Sequence, residues 1–364
     1  MKTTGRYQLM MFLEILNNFY KYKRKFLSFR NYGIKTNNGE IKLLFFGTDN
    51  FSLPTLKILH KNCRGHDLGV VTSFKNPANC VREYAQQHNL LLYKWPVSPG
   101  DCRLYDIGVV VSFGHLIPTS VIQAFPLGVI NVHASLLPRW RGAAPIIHAI
   151  MNGDTETGVS IMRIEPKRFD VGGVFAQCSV PIKPYVLMPE LHTQLAEEGA
   201  KLLMKVIETY PQSFEKVEVQ NEDKVTYGNI LAPKITERLT EANWLTMSSL
   251  QLYNRYRALY GYKMLNTKFL GKNLNLIDVR LPSSNSTDVI SNNFPDYKQP
   301  GSFVFSKELK CLLVLCAQRT HIEVHQLRLE GKKTMTAADF NNGFIKKLNG
   351  ENSTFTCNKS SVLI

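Results

Sequence analysis

The feature that most constrains the fold is an apolar run at residues 107–113, in which Val109, Val110 and Val111 follow one another without a polar residue. β-branched side chains favour strands, and a strand that lacks polar alternation has to be covered on both faces. Such burial is typical of a central strand in a parallel sheet that carries helices on either side. The run therefore predicts an α/β core.

Strand and helix patterns alternate around this run. Short apolar runs occupy residues 41–46, 68–72, 90–95 and 128–133, and helical patterns occupy residues 54–61, 78–89, 143–152 and 189–210. Residues 158–164 and 173–182 are expected to add antiparallel strands. This order predicts an open, doubly wound, Rossmann-like sheet in a catalytic domain of residues 40–211.

The pattern changes after a polar segment at residues 212–233, which is expected to be a linker. A helical period at residues 245–259 is followed by short alternating runs at 274–279, 301–305, 309–315 and 321–327. Short strands separated by turns, such as the polar loop at 282–300, predict a small OB-like β-barrel in a second domain of residues 234–345. Residues 346–364 have little apolar content and are expected to form a disordered tail.

The positive charge is concentrated at the two ends of the chain. There are 44 Lys and Arg residues against 29 Asp and Glu residues, a net charge of +15. Residues 40–230 are neutral overall, whereas residues 1–39 carry +7 and the residues after 230 carry +8. The C-terminal excess favours a polyanionic partner.

Residues 1–39 are basic and amphipathic and contain one acid, Glu14. This composition predicts a mitochondrial presequence, and the alternative is a disordered basic arm. The seven cysteines form no C-x-x-C pair, which argues against a disulfide framework and favours a reducing compartment. No run of 18 uncharged apolar residues is present, so no membrane partner is expected.

The chemistry-bearing motif is residues 131–145, which read N-V-H-A-S-L-L-P-R-W-R-G-A-A-P. Asn131 and His133 are two residues apart at the carboxyl end of a predicted strand, so their side chains face the same way. An amide donor can stabilise an oxyanion and an imidazole can move a proton, a combination that suits acyl transfer. On spacing alone, a histidine that is simply hydrogen-bonded at a strand end remains the alternative.

A second motif, F-D-V-G-G at residues 169–173, places Asp170 beside two glycines. A carboxylate on such a turn could reach back to His133 and fix its tautomer. The alternative is ordinary turn chemistry, because Asp before Gly is common in turns.

Residues 131–145 resemble the N-x-H-x-S-L-L-P…R-G-A-x-P signature of the 10-formyltetrahydrofolate-dependent formyltransferases. Residues 46–51 (F-G-T-D-N-F) resemble the first strand and turn of that family, and residues 111–118 (V-S-F-G-H-L-I-P) resemble its folate-pocket strand and loop. Residues 158–162, followed by 170–172, resemble the segment that supplies its catalytic Asp. The similarity runs from about residue 41 to about residue 340, and it is strongest to the members that act on methionyl-tRNA.

The resemblance implies a catalytic trio of Asn131, His133 and Asp170. It also implies 10-formyltetrahydrofolate as co-substrate, no metal, and initiator methionyl-tRNA as acceptor in the mitochondrial matrix. The α-amine would attack the formyl carbon directly, Asn131 and His133 would stabilise the oxyanion, and His133 would pass a proton to the leaving N10. The implied folate-binding residues are Phe113, Gly114, His115, Leu116, Ile117, Ser135, Leu136, Leu137 and Pro138.

Basic side chains beside the motif and in the second domain are expected to contact tRNA phosphates. They are Arg139, Arg141, Arg255, Arg257, Lys263, Lys268 and Lys272. The alternative is a set of solvated charges beside a packed aromatic face. Bacterial members of the family that this chain resembles carry a longer, basic insertion at the position of residues 73–77, which form a short loop here. The segment of residues 162–170 is slightly longer than in those members. We expect a monomer.

Three other functions compete with this interpretation. The chain could formylate a small amine of the glycinamide ribonucleotide type, or hydrolyse 10-formyltetrahydrofolate. It could also be a catalytically inactive RNA-binding protein. The basic second domain argues against the small-amine enzyme, and the complete trio argues against the inactive protein.

Overall fold

The computed structural model describes residues 34–36, 39–63, 67–221, 234–282, 299–348 and 354–357. Most of the predicted presequence and most of the predicted loop at 282–300 lie outside the described residues. The chain divides into two compact units. The first comprises Met1–Arg141, Gly158–Val180 and Thr193–Asn229, and the second comprises Gly142–Thr157, Pro181–His192 and Ile230–Ile364.

The first part of the chain alternates strands with helices. In order it contains β1 (Ile34–Thr36), β2 (Gly39–Ile41), β3 (Leu43–Phe46), α1 (Leu53–Asn62), β4 (Leu68–Thr72), α2 (Cys80–Gln87), β5 (Leu91–Lys94), α3 (Pro99–Cys102), β6 (Ile107–Val111), α4 (Thr119–Ile122) and β7 (Val129–His133). There follow α5 (Pro145–Met151), β8 (Glu156–Arg163), β9 (Val174–Pro181), α6 (Met188–Glu208) and α7 (Gln212–Glu215). The short strands β1 and β2 pair with each other as a hairpin.

The first unit is built on a seven-stranded sheet with the order β5-β4-β3-β6-β7-β8-β9. The first five strands in this order are parallel, and β8 pairs antiparallel with β7. All five residues of β6 are buried, as the valine run predicted. The doubly wound α/β prediction is therefore confirmed. Because the chain winds outward from β3 and then returns to β6, the carboxyl ends of these two strands flank the switch point at which such sheets bind ligands.

Strand β7 is held from behind by helix α6. A Cβ atom added to Gly199 of α6 would lie 2.8 Å from Cγ1 of Val132, so only glycine allows this close approach. Val132 is buried in this contact, and strand alternation turns Asn131 and His133 to the opposite face. The packing thus places the two predicted catalytic residues on the side of the sheet away from α6.

The remaining elements belong to the second unit. They are α8 (Ser249–Leu259), β10 (Leu265–Phe269), β11 (Lys272–Arg280), β12 (Phe303–Ser306), β13 (Cys311–Leu315), β14 (His321–Leu329), β15 (Met335–Thr336) and α9 (Ala337–Gly343). Helix α8 begins with a capping box between Ser248 and Gln251. The strands form an antiparallel sheet in the order β10-β11-β14-β13-β12, and β15 pairs with β14.

The two edges of this sheet are joined by Thr354–Cys357, a segment that we call the closing segment. Thr356 pairs with Lys268 of β10, and Thr354 pairs with Ser302, which precedes β12. Phe355 lies between these pairs and is 2% exposed, with its ring 4.3 Å from that of Phe303. The sheet therefore closes into a barrel with an aromatic core.

Two predictions about the chain outside the main strands need correction, and one strand was missed. The predicted tail is ordered at the closing segment, because an aromatic side chain there completes the core. The predicted linker is structured at its start, where α7 forms and Glu218 pairs with Val174. Strand β10 was not among the predicted strands; its buried positions alternate with the polar residues Asn266 and Lys268, and only Lys268 was given a role, as a tRNA contact. No helix in the described parts of the chain is long and apolar enough to cross a membrane.

Candidate active site

His133 ends β7 and is 5% exposed. Its Nε2 lies 3.0 Å from the carbonyl oxygen of Trp140. Because a carbonyl only accepts, the proton of this hydrogen bond belongs to Nε2, and Nδ1 is the nitrogen that faces Asp170. Asn131 lies two residues earlier in β7 and is partly exposed. The structure therefore brings the predicted amide and imidazole to one face of the strand.

Asp170 lies on the turn between β8 and β9. Its Oδ1 is 3.8 Å from Nδ1 of His133, which is longer than a direct hydrogen bond. Asp170 adopts a left-handed backbone conformation with φ of 51°, which a residue other than glycine keeps only when its surroundings hold it. Glu165 lies in the same turn, and burial raises the pKa of its carboxyl group. The nearby positive charges of Arg163 and Arg168 act in the opposite direction and lower that pKa. The structure thus brings the side chains of His133 and Asp170 close together without a direct hydrogen bond between them.

The loop that follows β7 is tied to the neighbouring antiparallel strands. Ser160 of β8 lies opposite His133 in the strand register, and its hydroxyl donates to the carbonyl of Ser135 at 2.6 Å. The same hydroxyl accepts from the Leu137 amide and from Nε2 of Gln177. These bonds fix the loop relative to the catalytic strand. Neither Ser160 nor Gln177 was given a role from the sequence: Ser160 lies in the segment 158–162 that resembles the family, but only the Asp that follows was assigned there, and Gln177 lies in no motif.

Ser135 was predicted to bind folate, but its side chain is fully buried and donates to the carbonyl oxygen of Arg139 at 2.7 Å. This bond occupies the hydroxyl proton, so the side chain shapes the loop. Leu137 is buried and Leu136 and Pro138 are partly buried, which leaves the edge of the loop as the accessible part.

The other predicted folate-binding segment follows β6 at the switch point. The Thr48 hydroxyl donates to the carbonyl of Ser112 at 3.0 Å, and the Ser112 hydroxyl donates to the Asp49 carboxylate. These bonds join the turn after β3 to the end of β6. Val110 of β6 lies beside Asn131 of β7 in the strand register. The segment that follows β6 therefore lies level with the catalytic residues along the edge of the sheet.

Aromatic side chains shape this segment. The Phe113 ring is buried 5.0 Å from that of Trp95, and the His115 ring stacks on Trp95 at 5.7 Å. Gly114 has φ of 72°, and no atom lies within 4 Å of the position where a Cβ would stand. Leu116 is 67% exposed, whereas Ile117 is buried. The arrangement offers flat aromatic faces next to open space, which fits a flat heteroaromatic ligand.

Two of the basic residues that were predicted to bind tRNA are buried. Arg141 is 4% exposed, and its Nε and Nη2 both donate to Oε1 of Gln220. Arg257 is also 4% exposed and donates to Asn254 and to the carbonyl of Val186. Burial removes these guanidinium groups from the surface, so the prediction of phosphate contact is corrected for both.

The other predicted tRNA contacts differ in exposure. Arg255 is partly buried and donates to the carbonyl of Glu241 at 2.7 Å, and burial lowers its pKa. Arg139 is exposed and lies over the Trp140 ring, 4.6 Å from its centre. Lys263 and Lys272 are exposed and Lys268 is partly exposed.

The second unit also contains a polar cleft of about 980 Å³ on the β10–β11–β14 side of the barrel. Its basic lining residues are Arg238, Lys263, Arg328 and Lys332. Acidic side chains and asparagine amides share the lining, so the cleft offers both charge and hydrogen-bonding groups.

One group of metal-ligand side chains occurs among the described residues, and it lies in the second unit. Cys311, Glu323 and His325 have ligand atoms within 4.8 Å of one another. His325 and Glu323 already form a pair at 2.9 Å, and burial raises the pKa of the Cys311 thiol to about 12.

Comparisons with known proteins agree with the geometry of the first unit. Residues 68–207 match the formyl transferase family, and residues 234–345 match the formyl transferase C-terminal domain. Over 327 residues the chain is 38% identical to the mitochondrial methionyl-tRNA formyltransferase of Homo sapiens, covering 86% of this chain and 80% of the human protein. It is 32% identical over 324 residues to the methionyl-tRNA formyltransferase of Coxiella burnetii, covering 85% of this chain and 97% of that protein.

A solved structure shares the fold. HypX from Aquifex aeolicus, in complex with tetrahydrofolic acid, superposes with a TM-score of 0.55 at 15% identity over 84% of this chain. The match covers 48% of the HypX chain, about half its length. Taken with the sequence matches, the chain belongs to the methionyl-tRNA formyltransferase family and is an enzyme of formyl transfer.

Proposed function

We propose that this chain transfers the formyl group of 10-formyltetrahydrofolate to the α-amino group of initiator methionyl-tRNA, giving N-formylmethionyl-tRNA for mitochondrial translation. The observation that carries the proposal is the meeting of Asn131, His133 and Asp170 at the carboxyl end of β7. The 38% identity to a mitochondrial relative supports the acceptor and the compartment. We place the enzyme in the matrix, and assign residues 1–39 as its presequence.

The reaction forms one C–N bond and breaks another. The neutral α-amine adds to the formyl carbon, and the bond from that carbon to N10 then breaks. An α-amine titrates at about 7.7–8.0, so a sizeable fraction is nucleophilic near neutral pH and positioning matters more than strong basicity.

The residues of the trio have separate roles in this step. The Asn131 amide donates to the formyl oxygen as negative charge develops there. His133 takes the proton that the amine loses and delivers it to N10, the leaving nitrogen. Because Nε2 is engaged with the Trp140 carbonyl, Nδ1 is the atom that takes the proton, and the Asp170 carboxylate stabilises the imidazolium.

The folate co-substrate supplies the formyl group. We assign its binding to the segment Phe113–Ile117, which follows β6 at the switch point, and to the accessible edge of the loop at residues 136–138, which follows the neighbouring strand β7. The stacked Trp95 and His115 rings provide a flat apolar surface, and the open space at Gly114 admits a ligand close to the backbone.

The tRNA is assigned to Arg139 and to three lysines of the second unit, of which Lys263 and Lys272 are exposed and Lys268 is partly exposed. Lys263 also lines the polar cleft, together with Arg238, Arg328 and Lys332. We further propose a monomer, with a catalytic domain that runs from residue 40 past the predicted boundary at 211 to residue 220, and a tRNA-binding domain of residues 234–345.

The test supplies the purified full-length chain with 10-formyltetrahydrofolate and either methionyl-tRNA, glycinamide ribonucleotide or no acceptor. Formylation of methionyl-tRNA is expected. Turnover only with glycinamide ribonucleotide would identify a small-amine enzyme, turnover without an acceptor would identify a hydrolase, and no turnover in any arm would identify an inactive protein.

A further inference from the structure

We propose that Gln220 is a positioning residue, which holds the Asp170 turn in place for proton transfer by His133. Gln220 lies in a polar stretch outside every motif of the catalytic domain. It is nevertheless 7% exposed, and its side chain forms hydrogen bonds with two segments of the active site. The inference deepens the proposed function and rests on it.

The Gln220 carboxamide joins a buried cation to the turn that carries Asp170. Its Oε1 accepts from Nε and Nη2 of Arg141 at 2.9 and 2.7 Å. Its Nε2 donates to the carbonyl oxygens of Asp170 and Gly172 at 2.9 and 2.8 Å. Because the acceptor end of the amide meets a cation, its donor end is polarised and its bonds to the carbonyls are strengthened.

Close backbone packing around the Asp170 turn also restricts its position. A Cβ on Gly172 would stand 1.9 Å from the carbonyl oxygen of Arg163, so the turn presses directly on the end of β8. Glu218 exchanges two backbone hydrogen bonds with Val174, and this pairing carries Gln220 beneath the turn. The φ of 51° at Asp170 is a conformation that a non-glycine residue keeps only under restraint, and the Gln220 amide bonds to that residue's carbonyl.

The same network reaches His133 from the other side. Arg141 follows Trp140, whose carbonyl accepts from Nε2 of His133. Gln220 therefore connects two segments that contact the His133 imidazole. One is the Trp140–Arg141 segment, whose Trp140 carbonyl accepts from Nε2, and the other is the turn that carries the Asp170 carboxylate, which faces Nδ1. With the two groups 3.8 Å apart, a small displacement of the turn changes whether they can share a proton.

Replacement of Gln220 by glutamate separates positioning from packing. Gln220→Glu keeps the shape of the side chain and improves its pairing with Arg141, but a carboxylate cannot donate to the carbonyls of Asp170 and Gly172. If Gln220 only fills space beside Arg141, the variant should retain its activity. If Gln220 positions the turn, the loss of both donated bonds should displace Asp170 and lower kcat.

The experiment measures formylation of methionyl-tRNA by the full-length chain, with kcat and KM recorded across the pH range and thermal unfolding measured in parallel. For Gln220→Glu we expect kcat to fall roughly 10- to 100-fold with KM little changed, as for a displaced catalytic group. We also expect the acid limb of the kcat profile to move, because the environment of the proton-transfer pair changes. The matched control is Gln87→Glu, the same charge change on an exposed residue, which should behave as the wild type.

If Gln220→Glu fails to fold, Gln220→Met takes its place, because it removes both donated bonds without adding charge. A folded variant of either kind that keeps the wild-type kcat and pH profile would overturn the role of Gln220 while leaving the proposed function intact. A wild-type chain that does not formylate methionyl-tRNA would refute the proposed function, and the inference with it.

Discussion

Replacement of Phe355 by alanine tests whether the closing segment completes the barrel. The Phe355 ring is 2% exposed and lies 4.3 Å from the ring of Phe303 and 5.8 Å from that of Trp244. Truncation of such a buried aromatic side chain costs about 3–5 kcal/mol, from lost burial and from the cavity that remains. If the segment detaches instead, the loss also includes the hydrogen bonds between Thr356 and Lys268.

Two measurements check this magnitude. Urea unfolding followed by tryptophan fluorescence reports on the second unit through Trp244, which stacks on Phe355, and on the first unit through Trp95 and Trp140. Amide exchange at Lys268 reports on the edge that the segment covers, and a loss of 3 kcal/mol should accelerate it by about 100-fold. Tyr262→Ala is the control, because its side chain is 56% exposed and its loss should change stability by less than about 0.5 kcal/mol. A loss below about 1 kcal/mol for Phe355→Ala would refute the claim that this ring completes the core.

Further predictions concern catalysis, tRNA binding and pH. His133→Ala should lower kcat by roughly 10²- to 10⁴-fold in the formylation assay, and near-normal turnover would remove His133 from proton transfer. Affinity for methionyl-tRNA should fall steeply with salt, and Lys268→Ala or Lys272→Ala should each reduce the salt slope by about 1. Arg257→Met should leave that slope unchanged and lower the denaturation midpoint, since the buried Arg257 binds carbonyls; a reduced slope would restore it as a tRNA contact. Burial lowers the pKa of His321 in the folded chain. Below a pH of about 6.5 the unfolded chain therefore binds more protons than the folded chain, and the free energy of unfolding decreases as the pH falls. His321→Gln should flatten the fall in urea midpoint between pH 7.5 and 5.5, and an unaltered pH dependence would contradict the assignment.

The catalytic strand could be predicted from the sequence because its signals are local. The spacing of Asn131 and His133 fixes their common face wherever the strand lies, and the valine run in β6 requires burial on both sides. The carboxyl end of β7 then follows as a ligand site from the topology of open parallel sheets.

The buried arginines could not be predicted in the same way. Arg257 lies on a helix rich in basic and tyrosine residues, a pattern that is equally typical of a solvated surface and of nucleic-acid binding. Its burial depends on the carbonyl of Val186, which is 71 residues away in the sequence. A guanidinium can be buried when backbone carbonyls accept its protons, and such acceptors leave no mark in composition or periodicity.

The C-terminal boundary of the catalytic unit could not be predicted from the sequence either, and its position matters for the active site. Residues 212–233 are polar, and polarity alone made them a linker; yet the part up to residue 220 pairs with β9 and supplies a buried amide. Gln220 reaches Arg141 across 79 residues of sequence and the carbonyl of Asp170 across 50. The Gln220 side chain bonds to both of these segments. The geometry of the His133–Asp170 pair therefore depends on a segment that follows the last helix of the domain. The spacing of Asn131 and His133 is therefore local in sequence, whereas the alignment of Asp170 with His133 is set by residues that only the fold brings together.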